Sequence, residues 1–317
     1  MTRVLVVGVG SMGFAHAKAC ASLPGNEIVG LVARDWRKWQ PVAKHFSEVP
    51  LFNDFYGALL TTKADAVIIS SFTDTHAPYA IKAMEAGADV FVEKPLATNI
   101  RDAGLAIATA RKYGRKLCVG YILRHHAMWQ KFVLCTKSLG SPLHVTMTSN
   151  QYSTGDDWQH HKNILAAGLS PLVDCGIHYT DLMIQLGCGE VAGLRARGTK
   201  TNADVDVPNN INMKISYGDG ATLDFESGFG PEIDPDKLVI KMAEGPGGTV
   251  RITPQNSVIH NDQEYTFALD TYEKSIVSQQ KDFFAIIKED IDLQEHYEAV
   301  ALSMATVFVA EQEMIIY

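Results

Sequence analysis

Val4-Leu5-Val6-Val7-Gly8-Val9-Gly10-Ser11-Met12-Gly13-Phe14-Ala15-His16-Ala17-Lys18-Ala19 is the stretch that decides how this chain is read. An unbroken apolar run enters a G-x-G-x-x-G turn and leaves it as a run of helix formers. Buried strand, glycine turn and helix start follow in the order that a dinucleotide pyrophosphate requires. In such a turn Gly8 permits the tight bend, Gly10 lets the backbone close on the phosphates, and Gly13 lets the helix pack against the strand. The helix N-terminus at Ser11 and Met12 then presents N–H groups to the phosphate charge. Three glycines at this spacing recur by chance in loops, so the inference rests on the strand before them and the helix after them.

The rhythm continues outward. Glu27 to Ala33 reads as a second strand and Lys38 to Phe46 as a helix. Ala64 to Ser70 reads as a third strand, with a helix from about His76 to Ala86 closed by Gly87. Asp89 to Glu93 is a further strand, Asn99 to Tyr113 a helix ended by Gly114, and Lys116 to Gly120 one more strand. Short apolar runs separated by helical patterns predict a parallel, doubly wound sheet. Right-handed crossovers place the loops after the strands along one edge, where ligands bind. Past about Tyr121 the pattern changes. A helix from about Ala127 to Leu139 precedes a strand-like stretch, Leu143 to Tyr152, and a helix starts near Asp174. Gly189 to about Phe267 is strand-rich, with turns at Tyr217-Gly218-Asp219-Gly220 and Gly245-Pro246-Gly247-Gly248. The first of these turns joins Asn210–Tyr217 to Ala221–Ser227 as a hairpin. Ser275 to Lys288 and Gln294 to about Glu313 are helices. The expected domains are therefore 1–121, nucleotide-binding, and 122–317, an α+β domain on a mostly antiparallel sheet.

Bulk composition narrows the class. The 317 residues are 46% hydrophobic and 20% charged, as in ordinary globular proteins, and the net charge is −8. That balance disfavours a general nucleic-acid or membrane-surface binder. Five scattered cysteines (Cys20, Cys118, Cys135, Cys175, Cys188) form no C-x-x-C and suit reduced thiols. No apolar stretch reaches the roughly 20 residues that span a bilayer, and no signal-peptide pattern precedes the first strand. The expectation is a cytoplasmic protein.

Three places carry candidate chemistry. Lys94, in Glu93-Lys94-Pro95, follows a predicted strand, where its ammonium can exchange a proton with a substrate oxygen. The competing reading is a surface lysine in a proline-stiffened turn. Asp174, His178 and Asp181, spaced by four and three, share one helix face if Asp174 opens the helix as an N-cap. A histidine beside a carboxylate is held in one tautomer and handles protons near neutral pH. Asp174 as a cap only, and His178 as a satisfied core histidine, are the bland alternatives. A metal site is not expected, since no third ligand has matching spacing. Trp158, with Gln159, His160 and Lys162, and Tyr121 at the domain boundary are candidate substrate contacts. His125-His126 and His160-His161 are poor chelates, and Asp204-Val205-Asp206 reads as a solvated turn.

The second strand bears on cofactor choice. An NAD site usually places Asp or Glu at its end to hold the ribose diol. Here that position falls on Ala33, with Arg34 next and Asp35 after it. A guanidinium where the carboxylate is missing suits a 2′-phosphate, favouring NADP; a register shift that puts Asp35 on the diol keeps NAD open.

With these residues in hand, the chain resembles the glucose–fructose oxidoreductase, inositol dehydrogenase and rhizopine-catabolism (Gfo/Idh/MocA) family over nearly its whole length. The opening glycines match Gly8, Gly10 and Gly13. The family's T-P-N-x-x-H loop corresponds to Ser71-Phe72-Thr73-Asp74-Thr75-His76, which keeps the histidine and loses the proline and asparagine. E-K-P matches Glu93-Lys94-Pro95, and D-x-G-x-H-x-x-D matches Asp174, Gly176, His178 and Asp181. The resemblance implies a Rossmann domain, a C-terminal domain with a large open sheet, and an active site in a cleft containing Lys94, Asp174 and His178. It implies that Ser71, Thr73, His76, Glu93 and Lys94 join the glycine turn, Ala33 and Arg34 around the cofactor. It also implies a homodimer or homotetramer through the open sheet. Where relatives often carry a glycine triplet near the substrate, this chain has Ala166-Ala167-Gly168-Leu169-Ser170-Pro171, which leaves the substrate open. The expected activity is hydride transfer between NADP or NAD and a hydroxyl carbon of a sugar, cyclitol or related polyol. Transient oxidation serving glycoside elimination or epimerisation, and a non-catalytic NADP-sensing protein, are the alternatives.

Overall fold

Val4–Val7 and Ala66–Ile69 are buried along their whole length, as strands are only when both faces of a sheet are covered. The structure, a computed structural model, describes residues 1–34, 40–234 and 239–317. Asp35 and the start of the helix expected at Lys38 lie outside the described residues.

The parallel strands β1 (Thr2–Val7), β2 (Asn26–Val32), β3 (Leu51–Phe52), β4 (Ala66–Ile69), β5 (Asp89–Glu93) and β6 (Leu117–Gly120) stand in the order β3-β2-β1-β4-β5-β6. They alternate with helices α1 (Ser11–Ser22), α2 (Gln40–His45), α3 (Phe55–Thr62), α4 (Thr73–Glu85) and α5 (Ile100–Tyr113). The order reverses between β1 and β4, which opens the crevice where this fold takes a dinucleotide. Local chemistry sets the helix ends. Asn99 caps α5 by accepting from Asp102 N–H at 2.9 Å, and Gly114 closes it in the left-handed region at φ 60°. Strand β3, two residues long, is too short for any periodicity to announce. Helix α4 starts at Thr73, three residues before the expected His76, and carries Asp74 in its first turn, where a carboxylate suits the helix dipole.

The second unit is built on β7 (His144–Thr148), β8 (Gln151–Tyr152), β9 (Val191–Thr199), β10 (Asn210–Tyr217), β11 (Thr222–Gly230), β12 (Lys241–Gly245), β13 (Gly248–Thr253), β14 (Ser257–His260), β15 (Gln263–Thr266) and β16 (Ile315–Ile316). Most neighbours pair antiparallel, while β7 and β8 pair with β11, and β16 with β9, in parallel. In β10 Ile211, Met213, Ile215 and Tyr217 are buried and the residues between them face outward, the period-two pattern of a sheet covered on one side. Helices α6 (Ala127–Lys137), α7 (Gly155–Ala166) and α8 (Ile177–Leu186) belong to this unit. Trp129 and Phe225 bracket Tyr179, with ring centroids at 6.0 and 5.2 Å. The single strand expected over Leu143–Tyr152 is broken at Ser149-Asn150, where Ser149 N–H and the Asn150 amide both turn to Glu226.

The division of the chain differs from the expected boundary at residue 121. The first unit comprises Met1–His125 and Tyr272–Ala301; the second comprises His126–Thr271 and Leu302–Tyr317. The reason lies in helices α9 (Thr271–Glu289) and α10 (Gln294–Gln312). Ile276 of α9 packs with Ala19 and Ile122, and Phe283 meets Phe91 at 5.9 Å. The first half of α10 closes the open edge of β6: Leu117 N–H donates to Tyr297 Oη at 3.3 Å and Val119 N–H to His296 Nε2 at 3.0 Å. Those donors would otherwise template strand addition. Burial pushes the His296 imidazole down to about 3, so the ring stays neutral and keeps an acceptor there. Among the described residues, no helix is long and apolar enough to cross a membrane.

Because α9 completes the first core, Phe283→Ala should cost about 3–5 kcal/mol, as emptying a buried aromatic site does. Denaturant unfolding of the variant checks this; an unchanged midpoint would place α9 outside that core.

Candidate active site

The glycine turn is built so that two of its three glycines are fixed by the protein itself. Gly8 sits at φ 78°, and a Cβ there would lie 2.5 Å from Ser71 Cα and N. A Cβ on Gly13 would run into the Gly8 carbonyl oxygen, with Ser70 Oγ 2.6 Å away. Neither position has room for a side chain. Gly10 is the exception: apart from its chain neighbours, no atom of the described residues lies within 4 Å of where its Cβ would stand. Space there, beside a helix whose N-cap Gly10 makes no side-chain capping bond and whose first turn holds no acid, fits a pyrophosphate on the N–H groups of Ser11, Met12 and Gly13.

At the end of β2, Ala33 is buried and its N–H donates to Phe52 O at 2.8 Å. Arg34 is exposed, its guanidinium 4.4 Å from the centroid of the exposed Phe72 ring. Ala33 and Arg34 are the last described residues after β2. After β4, Ser71 Oγ meets Thr75 Oγ1 at 2.6 Å, and Thr73 opens α4. His76 is buried, its Nδ1 2.8 Å from Pro95 O and its Nε2 3.1 Å from Ser71 O. Burial pushes its imidazole below the usual range, against the pull of both carbonyls. This histidine ties the loop after β4 to the loop after β5.

Glu93 and Lys94 are only partly buried, whereas the strand before them and Pro95 to Ala97 after them are buried. Glu93 Oε1 accepts from His16 Nε2 at 2.8 Å, and Lys94 N–H donates to Glu93 Oε2 at 3.3 Å. Burial works to raise the Glu93 carboxyl, but the His16 bond and the neighbouring positive charges hold it below the ordinary value. Tyr272 donates to Met12 Sδ at 3.5 Å; burial raises its phenol, Glu93 adds to the rise and Lys94 opposes it. His16 and Tyr272 thus join the neighbourhood of the E-K-P segment. His16 lay inside the opening motif yet read only as a helix former, and nothing local in the sequence marks Tyr272. Tyr121 is fully buried, a core residue with little surface for a substrate.

In the second unit Asp174 is not an N-cap. It lies inside a π-helical turn, Leu172–Gly176, that runs without a break into α8, and its N–H donates to Ser170 O at 3.0 Å. The wider turn alters the helix ahead of His178 but keeps the two residues on one side. Across residues 171–180, Asp174 and His178 alone are not buried. Gly176 between them is a packing requirement, since a Cβ would stand 3.0 Å from Leu172 Cδ1 and 3.2 Å from Phe225 Cε1. Asp181 is buried and accepts from Gln185 Nε2 at 3.0 Å. Beside Asp174 lies a network the sequence did not reveal. Cys175 Sγ contacts Asp174 Oδ2 at 3.8 Å and receives Gln151 Nε2 at 3.3 Å, and Gln151 Oε1 meets His161 Nε2 at 3.1 Å. His161 also stacks on Phe229 at 4.3 Å. Trp158 is buried, with its ring edge close to Gly230.

Comparison with known proteins agrees with this anatomy. Residues 2–121 match the model for an oxidoreductase family with an NAD-binding Rossmann fold, and residues 131–245 match the GFO/IDH/MocA C-terminal domain. The chain is 25% identical over 240 residues to scyllo-inositol 2-dehydrogenase (NAD(+)) of Bacillus subtilis, covering 74% of this chain and 67% of that protein. It is 26% identical over 262 residues to D-glucoside 3-dehydrogenase of Escherichia coli, covering 75% and 73%. An oxidoreductase from Agrobacterium radiobacter, solved with NAD+, L-tartaric acid and magnesium, superposes with a TM-score of 0.82 at 17% identity, covering 98% of this chain and 96% of that one.

The two kinds of glycine should separate experimentally. Gly13→Ala should lower stability by about 1–3 kcal/mol through overpacking. Gly10→Ala should leave stability within about 0.5 kcal/mol while weakening nucleotide binding. Thermal melts and nucleotide titration check both, and equal effects on the melts would contradict the geometry.

Proposed function

The chain belongs to the GFO/IDH/MocA family of NAD-binding oxidoreductases, and from that premise we propose that it oxidises or reduces a hydroxyl carbon of a sugar, cyclitol or related polyol. Lys94, Asp174 and His178 are the proposed catalytic residues. The observation that carries this reading is their partial exposure within runs of buried residues, on the segments where the sequence pattern expects the chemistry. The names of two relatives, a scyllo-inositol dehydrogenase and a D-glucoside dehydrogenase, support the substrate class.

When bound, the nicotinamide supplies the hydride acceptor or donor, and the protein supplies position and proton handling. Lys94 binds the substrate oxygen through its ammonium and stabilises negative charge developing there. His178 is the proposed acceptor of the hydroxyl proton, and Asp174, on the same side of the helix, orients the imidazole or the substrate. Glu93 holds the Lys94 backbone. Ser11, Met12 and Gly13 would hold the pyrophosphate, with Gly10 giving access.

For the nucleotide we favour NADP. Arg34 next to the side-chain-poor Ala33 supports a 2′-phosphate, which a guanidinium pairs with in a charge-assisted geometry. A homodimer or homotetramer formed through the second unit's sheet completes the proposal. Just before β12, Val239 and Ile240 expose apolar surface.

Lys94→Ala and His178→Ala should each lower turnover by about 10²-fold or more, with nucleotide affinity nearly kept. A panel of sugars, sugar acids and cyclitols, followed by nicotinamide absorbance, supplies the assay. Ordinary rates in both variants would reject the assignment. Arg34→Ala should weaken NADP about tenfold or more while leaving NAD within about threefold, the difference expected for loss of a charged hydrogen bond. Equal losses for both nucleotides would remove the NADP preference.

A further inference from the structure

Glu93 is anchored from behind by a chain of buried polar groups that the expected chemistry does not use. His16 is 0% exposed, and the Glu93 side chain is 13% exposed. His16 Nδ1 faces Gln280 Nε2 at 3.0 Å, and Gln280 Oε1 accepts from Cys20 Sγ at 3.4 Å. Gln280 and Cys20 are themselves buried. The chain has one consistent polarity. A thiol donor at Cys20 turns the carboxamide oxygen toward itself, which leaves the amide N–H₂ to donate to His16 Nδ1. That nitrogen is then an acceptor, so the proton of a neutral imidazole sits on Nε2 and points at Glu93 Oε1. His16 therefore donates to Glu93 Oε1 through Nε2.

We infer that His16 is a positioning residue that keeps Glu93 anionic beside Lys94, and that this fixed charge biases the site toward the oxidised over the reduced nicotinamide. The inference rests on the dinucleotide reading given above. Glu93 ends β5, next to β4 at the crevice where the sheet order reverses, and it lies on the edge at which this fold binds its cofactor. The oxidised pyridinium ring carries a positive charge and the reduced ring does not. An anion held near that ring, where burial weakens solvent screening, lowers the free energy of the first form relative to the second. Lys94, adjacent in sequence, does not reverse the sign: removing the carboxylate leaves the neighbourhood more positive in either case. His16 also packs against Phe91, ring centroids 5.0 Å apart, so its placement is set by the core and not by the ligand.

The test is calorimetric titration of the full chain with the oxidised and the reduced forms of whichever nucleotide binds more tightly. Glu93→Gln is close to isosteric, and its carboxamide oxygen can still accept from His16. It should raise the ratio of oxidised to reduced dissociation constants about tenfold relative to the unaltered protein. His16→Leu should move the ratio the same way, because a buried carboxyl without its donor takes up a proton. His16→Gln, which can still donate to Glu93, should restore most of the original ratio. If His16→Leu does not fold, Glu93→Gln decides alone. A ratio in Glu93→Gln within about twofold of the unaltered protein, with both forms still bound, overturns this inference and leaves the proposed function standing. Absence of binding of either form to the unaltered protein overturns the function first, and this inference with it.

Discussion

The close approach of α1 to β1 and β4 is the constraint on which the other features depend. It exists because Gly13 has no Cβ to strike the Gly8 carbonyl, and because Gly8 bends at φ 78° against the backbone of Ser71. With the helix seated that deeply, three consequences follow from geometry. Its N-terminus opens at the sheet edge with room beside Gly10, its Met12 sulfur reaches Tyr272, and its His16 reaches Glu93 two strands away from β1. A backbone contact of this kind has little tolerance, since an added methyl meets peptide atoms that cannot rotate away.

Charge is handled differently in the two units. In the first, the partly buried Glu93 is held below the ordinary carboxyl value by His16 and by neighbouring positive charge, and His76 is buried and driven toward neutrality. In the second, the partly exposed Asp174 and His178 stand out from a buried helix, with the Cys175–Gln151–His161 chain behind them. Burial lowers the His161 imidazole and the nearby His160 adds to that, while Asp174 opposes it. Each proposed catalytic segment is thus backed by a buried imidazole that is itself held by side-chain hydrogen bonds.

Much of this was legible in the sequence, for identifiable reasons. The strand–glycine–helix opening, the continuous apolar strands and the Asp219-Gly220 hairpin are local patterns, and local patterns survive without tertiary information. Asp174 is no N-cap because a π-helical turn at Leu172–Gly176 runs on into α8, and no spacing rule contains that turn. The return of α9 and the first half of α10 to the first unit was not legible, because it runs through contacts such as His16–Gln280 that span 264 positions. Tyr121 and Trp158 are both buried, and residue type alone does not reveal burial.

The central claim is that this glycine turn binds a pyridine nucleotide at the carboxyl edge of the first sheet. Equilibrium titration of the full chain with NADPH and NADH, followed by nicotinamide fluorescence, tests it most directly. A saturable change with one nucleotide bound per chain is expected, tighter for NADPH, and weakened in Gly10→Ala while the fold is retained. A flat response to both nucleotides from the folded protein would contradict it.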